Sequence, residues 1–277
     1  MKRRYGENCA NYFQEIKYGK KLKIDNFYIT FYPAGHILGS AQILVEHKNQ
    51  RVLVSGDYSR VSDKSSQDFE LVKCDLFITE ATFGLPIFKH PNPKYEIKKL
   101  IQSLTMYPEK THLVGAYALG KTQRLIKLLR EEGYDKTIYL HGSQIKLCEY
   151  YEKQGIKLGK FENSLLSKKD DFLGSIVIAP PSALKDRWSR RFENKVICYA
   201  SGWMNIKQRA KQSLVELPLI ISDHVDWNEL TQTILDVEAE KIWVTHGREE
   251  ALVYWCKKNG LNAEPLYLQG RIEEINQ

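Results

Sequence analysis

Residues 112–151 read HLVGAYALGKTQRLIKLLREEGYDKTIYLHGSQIKLCEYY. A strand-like run, His112-Leu-Val, leads into a helix from about Lys121, with Leu125, Ile126 and Leu129 on one face. The unit then repeats: 137–140 reads as a strand and 145–151 as a helix. Alternation of this kind predicts a parallel α/β sheet in the middle third of the chain. Upstream the texture differs. Segments 26–32, 42–46, 51–55 and 76–79 are short runs of Ile, Val, Phe and Tyr, punctuated by Pro33-Ala-Gly, His47-Lys-Asn-Gln and Gly56-Asp, a pattern of hairpins and a meander. From Pro93 a helical spacing sets in at Tyr95, Ile97, Leu100, Ile101 and Leu104. Downstream, strands are predicted at 217–221 and 241–245, helices from about Trp227 and Glu249, and a last strand at 265–268. Lys168-Lys-Asp-Asp and Pro180-Pro read as loops.

The chain has 277 residues, 43% hydrophobic, 11% aromatic and 27% charged. That is enough apolar material for a sizeable core, which excludes disorder as the main state. No apolar run reaches the ~18 residues of a membrane span. The basic start Met1-Lys-Arg-Arg lacks the apolar stretch that a secretory signal carries. Cys9, Cys74, Cys148, Cys198 and Cys256 form no Cys-x-x-Cys, which fits reduced thiols in a cytoplasmic protein better than a disulfide frame or a structural zinc cluster. Lys and Arg number 41 against 34 Asp and Glu, a formal net charge of +7 that is compatible with a nucleic-acid partner without establishing one.

Five polar residues stand where apolar strands stop. His36 follows Phe31-Tyr-Pro-Ala-Gly, Asp57 follows Val52-Leu-Val-Ser-Gly, and Glu80 ends Leu76-Phe-Ile-Thr. His224 follows Leu219-Ile-Ile-Ser-Asp, and His246 ends Ile242-Trp-Val-Thr. Loops at strand ends let short side chains converge without burying their polar atoms in the sheet, as in many α/β sites. Any one of them alone reads as an ordinary loop residue. In series they form a set of imidazoles and carboxylates suited to zinc, manganese or iron.

The segments around these residues carry a resemblance. Pro33-Ala-Gly-His-Ile-Leu-Gly-Ser-Ala, Ser55-Gly-Asp-Tyr-Ser-Arg, Thr79-Glu-Ala-Thr-Phe-Gly, Ser222-Asp-His-Val-Asp and Thr245-His-Gly-Arg-Glu-Glu resemble the ordered motifs of the β-CASP branch of metallo-β-lactamase-fold nucleases. Gly115-Ala-Tyr-Ala-Leu-Gly-Lys, Ala179-Pro-Pro-Ser-Ala-Leu and Ala200-Ser-Gly-Trp-Met are similar, more narrowly, to bacterial ligase-associated DNA exonucleases.

The resemblance implies an α/β architecture: a metallo-β-lactamase αββα sandwich, N-terminally incomplete, over 1–88 and 216–277, interrupted by a β-CASP cap over 89–215 that closes on nucleic acid. It implies two divalent ions, zinc or manganese. His36 would bind the first, Asp57 would bridge both, and His246 would bind the second. Glu80 and His224 would be the acid/base pair, with Asp57 taking part in catalysis. The implied reaction is phosphodiester hydrolysis by a repair exonuclease acting on DNA, linked to a DNA ligase and a helicase. An RNA-processing nuclease and a catalytically dead nucleic-acid-binding remnant are the alternatives.

One departure bears on activity. The family's His-x-His-x-Asp-His, which belongs upstream of the His36 motif, has no counterpart among the seven histidines. On this reading the chain starts inside the first domain, as a truncated form, and its two ligands per metal fall short of the usual three or so. Weak metal binding and little nuclease activity are therefore expected of the 277 residues.

Two further features compete for attention. Gly115-Ala-Tyr-Ala-Leu-Gly-Lys-Thr122 fits the phosphate-cradling G-x-x-x-x-G-K-[ST] pattern. The next strand lacks a terminal Asp for magnesium, so nucleotide hydrolysis is the lesser reading, and Lys121 with nearby amides is instead expected to hold a nucleic-acid phosphate. The stretch from Lys185 to Lys211 places Arg187, Arg190 and Arg191 beside Trp188, with Lys195, Tyr199, Trp203, Lys207 and Arg209 following. Cations with interleaved rings suit single strands. A solvated face with core tryptophans explains the same residues equally well.

Overall fold

The computed structural model describes residues 2–269. A short helix α1 (Lys2–Tyr5) precedes strands β1 (Leu22–Ile24), β2 (Phe27–Pro33), β3 (Ala41–His47), β4 (Gln50–Val54) and β5 (Leu76–Ala81). Next come α2 (Pro93–Met106), β6 (Thr111–Gly115), α3 (Lys121–Glu131), β7 (Ile138–Leu140), α4 (Gly142–Lys153) and β8 (Phe161–Asn163). They are followed by β9 (Ile176–Ala179), β10 (Lys195–Ala200), α5 (Lys207–Gln212) and β11 (Leu217–Leu219). The last elements are α6 (Trp227–Val237), β12 (Lys241–Gly247), α7 (Glu249–Lys258) and β13 (Ala263–Pro265). No helix among the described residues is long and apolar enough to cross a membrane.

These elements form two compact units. The first comprises 14–62, 67–89 and the chain from 224 onward; the second comprises the chain up to 13, 63–66 and 90–223.

The first unit carries a seven-stranded mixed sheet in the order β1-β2-β3-β4-β5-β12-β13. Strands β1 to β4 are an antiparallel meander, as their alternating pattern and short turns predict, whereas β4–β5, β5–β12 and β12–β13 are parallel. Leu44, Leu53, Phe77, Ile242 and Val244 share one buried core with Leu230, Ile234 and Val237 of α6 and Leu252 and Cys256 of α7. Helix α6 starts cleanly because Asp226 accepts from the Glu229 amide at 2.9 Å while the Glu229 carboxylate returns to the Asp226 amide.

The second unit carries a six-stranded sheet, parallel throughout, in the order β11-β10-β6-β9-β7-β8. Each β6 residue is buried, as expected of a central parallel strand. Its immediate partners, β9 and β10, are strands that periodicity alone does not reveal. Phe172, Val177, Ala179 and Phe192 close a core against Leu113 and Tyr139.

Three local expectations shift. Strand β11 pairs with β10 and the second unit runs on to Asp223, past the boundary at 216 read from sequence. The final strand lies at Ala263–Pro265, with a 3-10 turn at Leu266–Leu268 where a strand was expected. The stretches read as loops contain 3-10 turns, Lys169–Phe172 and Pro181–Lys185.

Candidate active site

Two strand-end loops of the first unit are zipped together by their backbones. Past β2 the chain runs Ala34-Gly35-His36; past β4 it runs Gly56-Asp57-Tyr58-Ser59. The Ser59 amide donates to the Ala34 carbonyl at 3.0 Å. Gly35 sits at φ +70°, and a Cβ there would stand 2.2 Å from the Ser59 carbonyl oxygen, so only glycine permits the approach. The result brings His36 Nε2 within 3.9 Å of Asp57 Oδ2, a separation too long for a hydrogen bond.

His224 reaches the same place from the start of α6. The neighbouring Val225 amide donates to the Tyr58 carbonyl at 2.8 Å, which ties the His224 loop to the Asp57 loop. The His224 and His36 rings lie 4.7 Å apart, and the edge of Phe83 meets His224 at 6.2 Å. His224 Nδ1 lies 2.9 and 3.0 Å from the two Glu80 carboxylate oxygens. An ionised carboxylate only accepts, so Nδ1 carries the proton and the chemistry of the ring falls to Nε2. Glu80 is buried, and its Oε1 also accepts from the Tyr58 amide at 2.9 Å. One carboxylate therefore fixes both the residue after Asp57 and the imidazole of His224. The Tyr58 amide is a participant that no side-chain pattern in the sequence signals.

His36, Asp57 and His224 each offer one donor atom, all within 4.8 Å of one another. Donors about 2 Å from a shared zinc-sized ion stand up to about 4 Å apart, a limit that His36 and Asp57 meet at 3.9 Å, with His224 beside them. The residues fit a divalent ion. The sequence suggests His36, Asp57 and His246 as ligands with Glu80 and His224 as an acid/base pair beside them; the structure brings His36, Asp57, Glu80 and His224 together, and His246 is not among the donors gathered within 4.8 Å. His246 is exposed at φ +54°, at a bulge where β12 slips register against β5 between Thr245 and Gly247. Such bulges re-aim the side chain they carry. The Glu249 carboxyl, pushed up by burial and then by Glu250, accepts a hydrogen bond from the His246 backbone.

The residues expected to grip nucleic acid belong to the second unit, and the structure divides them. Lys121 is buried; its ammonium pairs with Asp223 and reaches the Ile221 carbonyl at 3.4 Å. Burial pushes its pKa down, and Asp223 opposes that. Thr122 Oγ1 donates to the Tyr117 carbonyl and the Gly120 amide to Gln123 Oε1, so the glycine-bearing loop is bonded within itself. This corrects the phosphate-cradle reading. Trp188 is a packing residue, edge-on to His141 at 4.8 Å and to Phe192 at 5.0 Å. The Arg191 guanidinium lies over Phe172 and Phe192 at 5.4 and 5.6 Å. Arg187 and Arg190 are exposed.

No protein-family model matches the chain. It is 27% identical over 239 residues to a protein of Opitutus terrae named Probable DNA ligase, covering 85% of this chain and 23% of that one. It is 37% identical over 124 residues to Endoribonuclease ysh-1 of Neurospora crassa, covering 43% of this chain and 14% of that one. The chain thus spans less than a quarter of the length of either relative. A solved structure from Enterococcus faecalis, titled as a protein of unknown function, superposes with a TM-score of 0.61 at 11% identity, over 94% of this chain and 66% of that one. That likeness concerns the fold alone.

Proposed function

The chain belongs to the metallo-β-lactamase β-CASP nuclease family, and from that membership we propose that its His36–Asp57–His224 centre serves phosphodiester hydrolysis of nucleic acid. The observation that carries this is the convergence of His36, Asp57, Glu80 and His224, four residues from separate segments of the chain, on one point. The seven-stranded sheet with α6 and α7 supplies one sheet-and-helix half of a metallo-β-lactamase sandwich, and the six-stranded parallel unit stands as the β-CASP cap.

A divalent ion, zinc or manganese, held by His36 and Asp57 would supply Lewis-acid stabilisation of charge developing on the phosphate. His36 and Asp57 would set where that ion sits, and His246 is the ligand proposed for a second ion. Glu80 holds the His224 imidazole by Nδ1, so that Nε2 can deliver a proton. Water adds to phosphorus as the ester P–O bond breaks; the His224 imidazolium gives its Nε2 proton to the leaving oxygen, and the proton that the water sheds passes to solvent, from which His224 is reprotonated. Glu80 also stabilises the imidazolium before the transfer, as a buried carboxylate partner does.

The relative with a ligase name supports DNA, with exonucleolytic repair as the finer role; the endoribonuclease relative gives RNA equal support. The test measures divalent metal per chain, then cleavage of matched DNA and RNA strands with zinc or manganese. We expect one ion or fewer per chain, slow cleavage, and at least a hundredfold loss of that cleavage in His36→Ala and Asp57→Ala. A chain that binds strands yet cuts neither with either metal would replace this reading by the nucleic-acid-binding one.

A further inference from the structure

The strand order of the second unit sets a point where its connections diverge. At their C-terminal ends β6 and β10 are neighbours, with Tyr199 paired to Gly115. From there β6 leads through α3 to β7, while β10 leads through α5 to β11, and those two strands lie on opposite sides of the β6–β10 pair. Diverging connections leave a crevice outside the strand ends, the position where open α/β sheets bind ligands.

Aromatic rings collect at this spot. Tyr117, two residues past β6, is 57% exposed. Burial raises the Tyr199 pKa first and Tyr117 adds to that, while the Arg209 charge opposes it, so Tyr117 and Arg209 both act on Tyr199 here. Arg209 also lies 4.2 Å from the centre of the Trp203 ring, in the 3-10 turn Gly202–Asn205 that follows β10. Lys207 and Lys211, exposed on the same short helix, add positive charge. Gly115 makes the arrangement possible: a Cβ there would fall 2.7 Å from Leu184 and 3.3 Å from the Tyr199 ring.

We propose that Tyr117, Trp203 and Arg209 form a stacking platform for the unpaired bases of a single strand, with Lys207 and Lys211 on its phosphates. The inference rests on the nucleic-acid reading above and narrows its substrate class to unpaired strands. Flat rings and a guanidinium plane take the faces of bases, which a duplex keeps stacked, and they do not read the sugar. This platform, not Trp188 and Lys121, is then where the aromatic and basic residues of 185–211 meet a ligand.

The experiment uses the full chain with chelator present, so that binding is read without cutting. Anisotropy of a fluorescein-labelled oligothymidylate of about a dozen nucleotides reports the strand, and a duplex of equal length is the comparison. Tyr117→Ala and Trp203→Ala should each weaken strand binding about tenfold, with Trp203→Phe within about twofold of the parent and duplex binding little changed. Oligouridylate should follow oligothymidylate. Thermal melts accompany each variant; should Trp203→Ala fail to fold, Tyr117→Ala and Arg209→Met carry the test. Unchanged strand binding in these variants overturns the proposal. So does an equal loss for strand and duplex, which marks a bare electrostatic patch, and so does thymidine monophosphate binding as tightly as the strand. Strand binding that follows these variants in a chain that cuts nothing would leave the platform standing and remove only the hydrolase reading.

Discussion

Gly35 is the residue on which the His36–Asp57 approach depends. Gly35→Ala forces its loop away from Ser59, because the added Cβ would overlap a carbonyl oxygen at 2.2 Å. Gly39 makes an internal control: at φ +81° it meets nothing within 4 Å, so Gly39→Ala costs only left-handed strain, about 1–2 kcal/mol. Calorimetric titration with zinc should show at least a tenfold weaker affinity for Gly35→Ala and no change for Gly39→Ala; equal affinities would show that the loops adjust. A second residue-scale prediction concerns His112. It is fully buried in β6, bonded to Ser103 Oγ at 2.7 Å, and its pKa is lowered, chiefly by burial. The unfolded chain therefore binds the proton more readily, and stability falls as pH drops below the ordinary histidine value of about 6.5. Urea denaturation at pH 7.5 and 5.5, about one unit either side of that value, should show this loss for the parent and a smaller one for His112→Gln. An identical loss in both would assign the pH dependence elsewhere.

At the scale of elements, α3 holds two buried ion pairs within the second unit. Lys121 meets Asp223, and Arg124 meets Asp63 at 2.5 Å with both side chains almost fully enclosed. Removing one partner strands the other charge in a dry interior, so Lys121→Met or Arg124→Met should cost about 3–5 kcal/mol. The midpoint of urea unfolding reads this, and a shift under about 1 kcal/mol would mean that water reaches the pairs. These pairs also show where the sequence stops being legible. The β1–β4 meander and the β6–α3–β7–α4 repeat are legible because apolar periodicity there matches the element. Strands β9 and β10 are not, because an all-apolar Ile176–Ala179 has no period to read. The ligand loops are legible through strand ends followed by glycine. So is His224 beside Glu80, through its own strand-end loop; the position of His246 is not, since a bulge between Thr245 and Gly247 decides it. Lys121 reads as a phosphate contact only while its Asp223 partner, far along the chain, is unseen. Trp188 and Trp203 look alike in sequence and both are half-buried; only tertiary packing sets Trp188 against Phe192 and His141 and Trp203 under Arg209.

For the whole molecule, sheet membership and chain order disagree. In the first unit β5 and β12 are parallel neighbours, yet the entire stretch 90–223 lies between them in the chain. Pairs this distant close late, since loop entropy must be met before the contacts form. Pulse-labelled hydrogen exchange during refolding should protect amides of β6, β7 and β9 before those of β12; simultaneous protection would argue for a single concerted step. The same geometry constrains birth on the ribosome. When β5 has left the exit tunnel its permanent neighbour has not been translated, and at roughly 5–20 residues per second many seconds pass with that edge of the nascent sheet open. The inserted unit has every strand of its own sheet in hand before β12 emerges. A chaperone that shields exposed strand edges would therefore act on the earlier-made, later-finished half of this polypeptide.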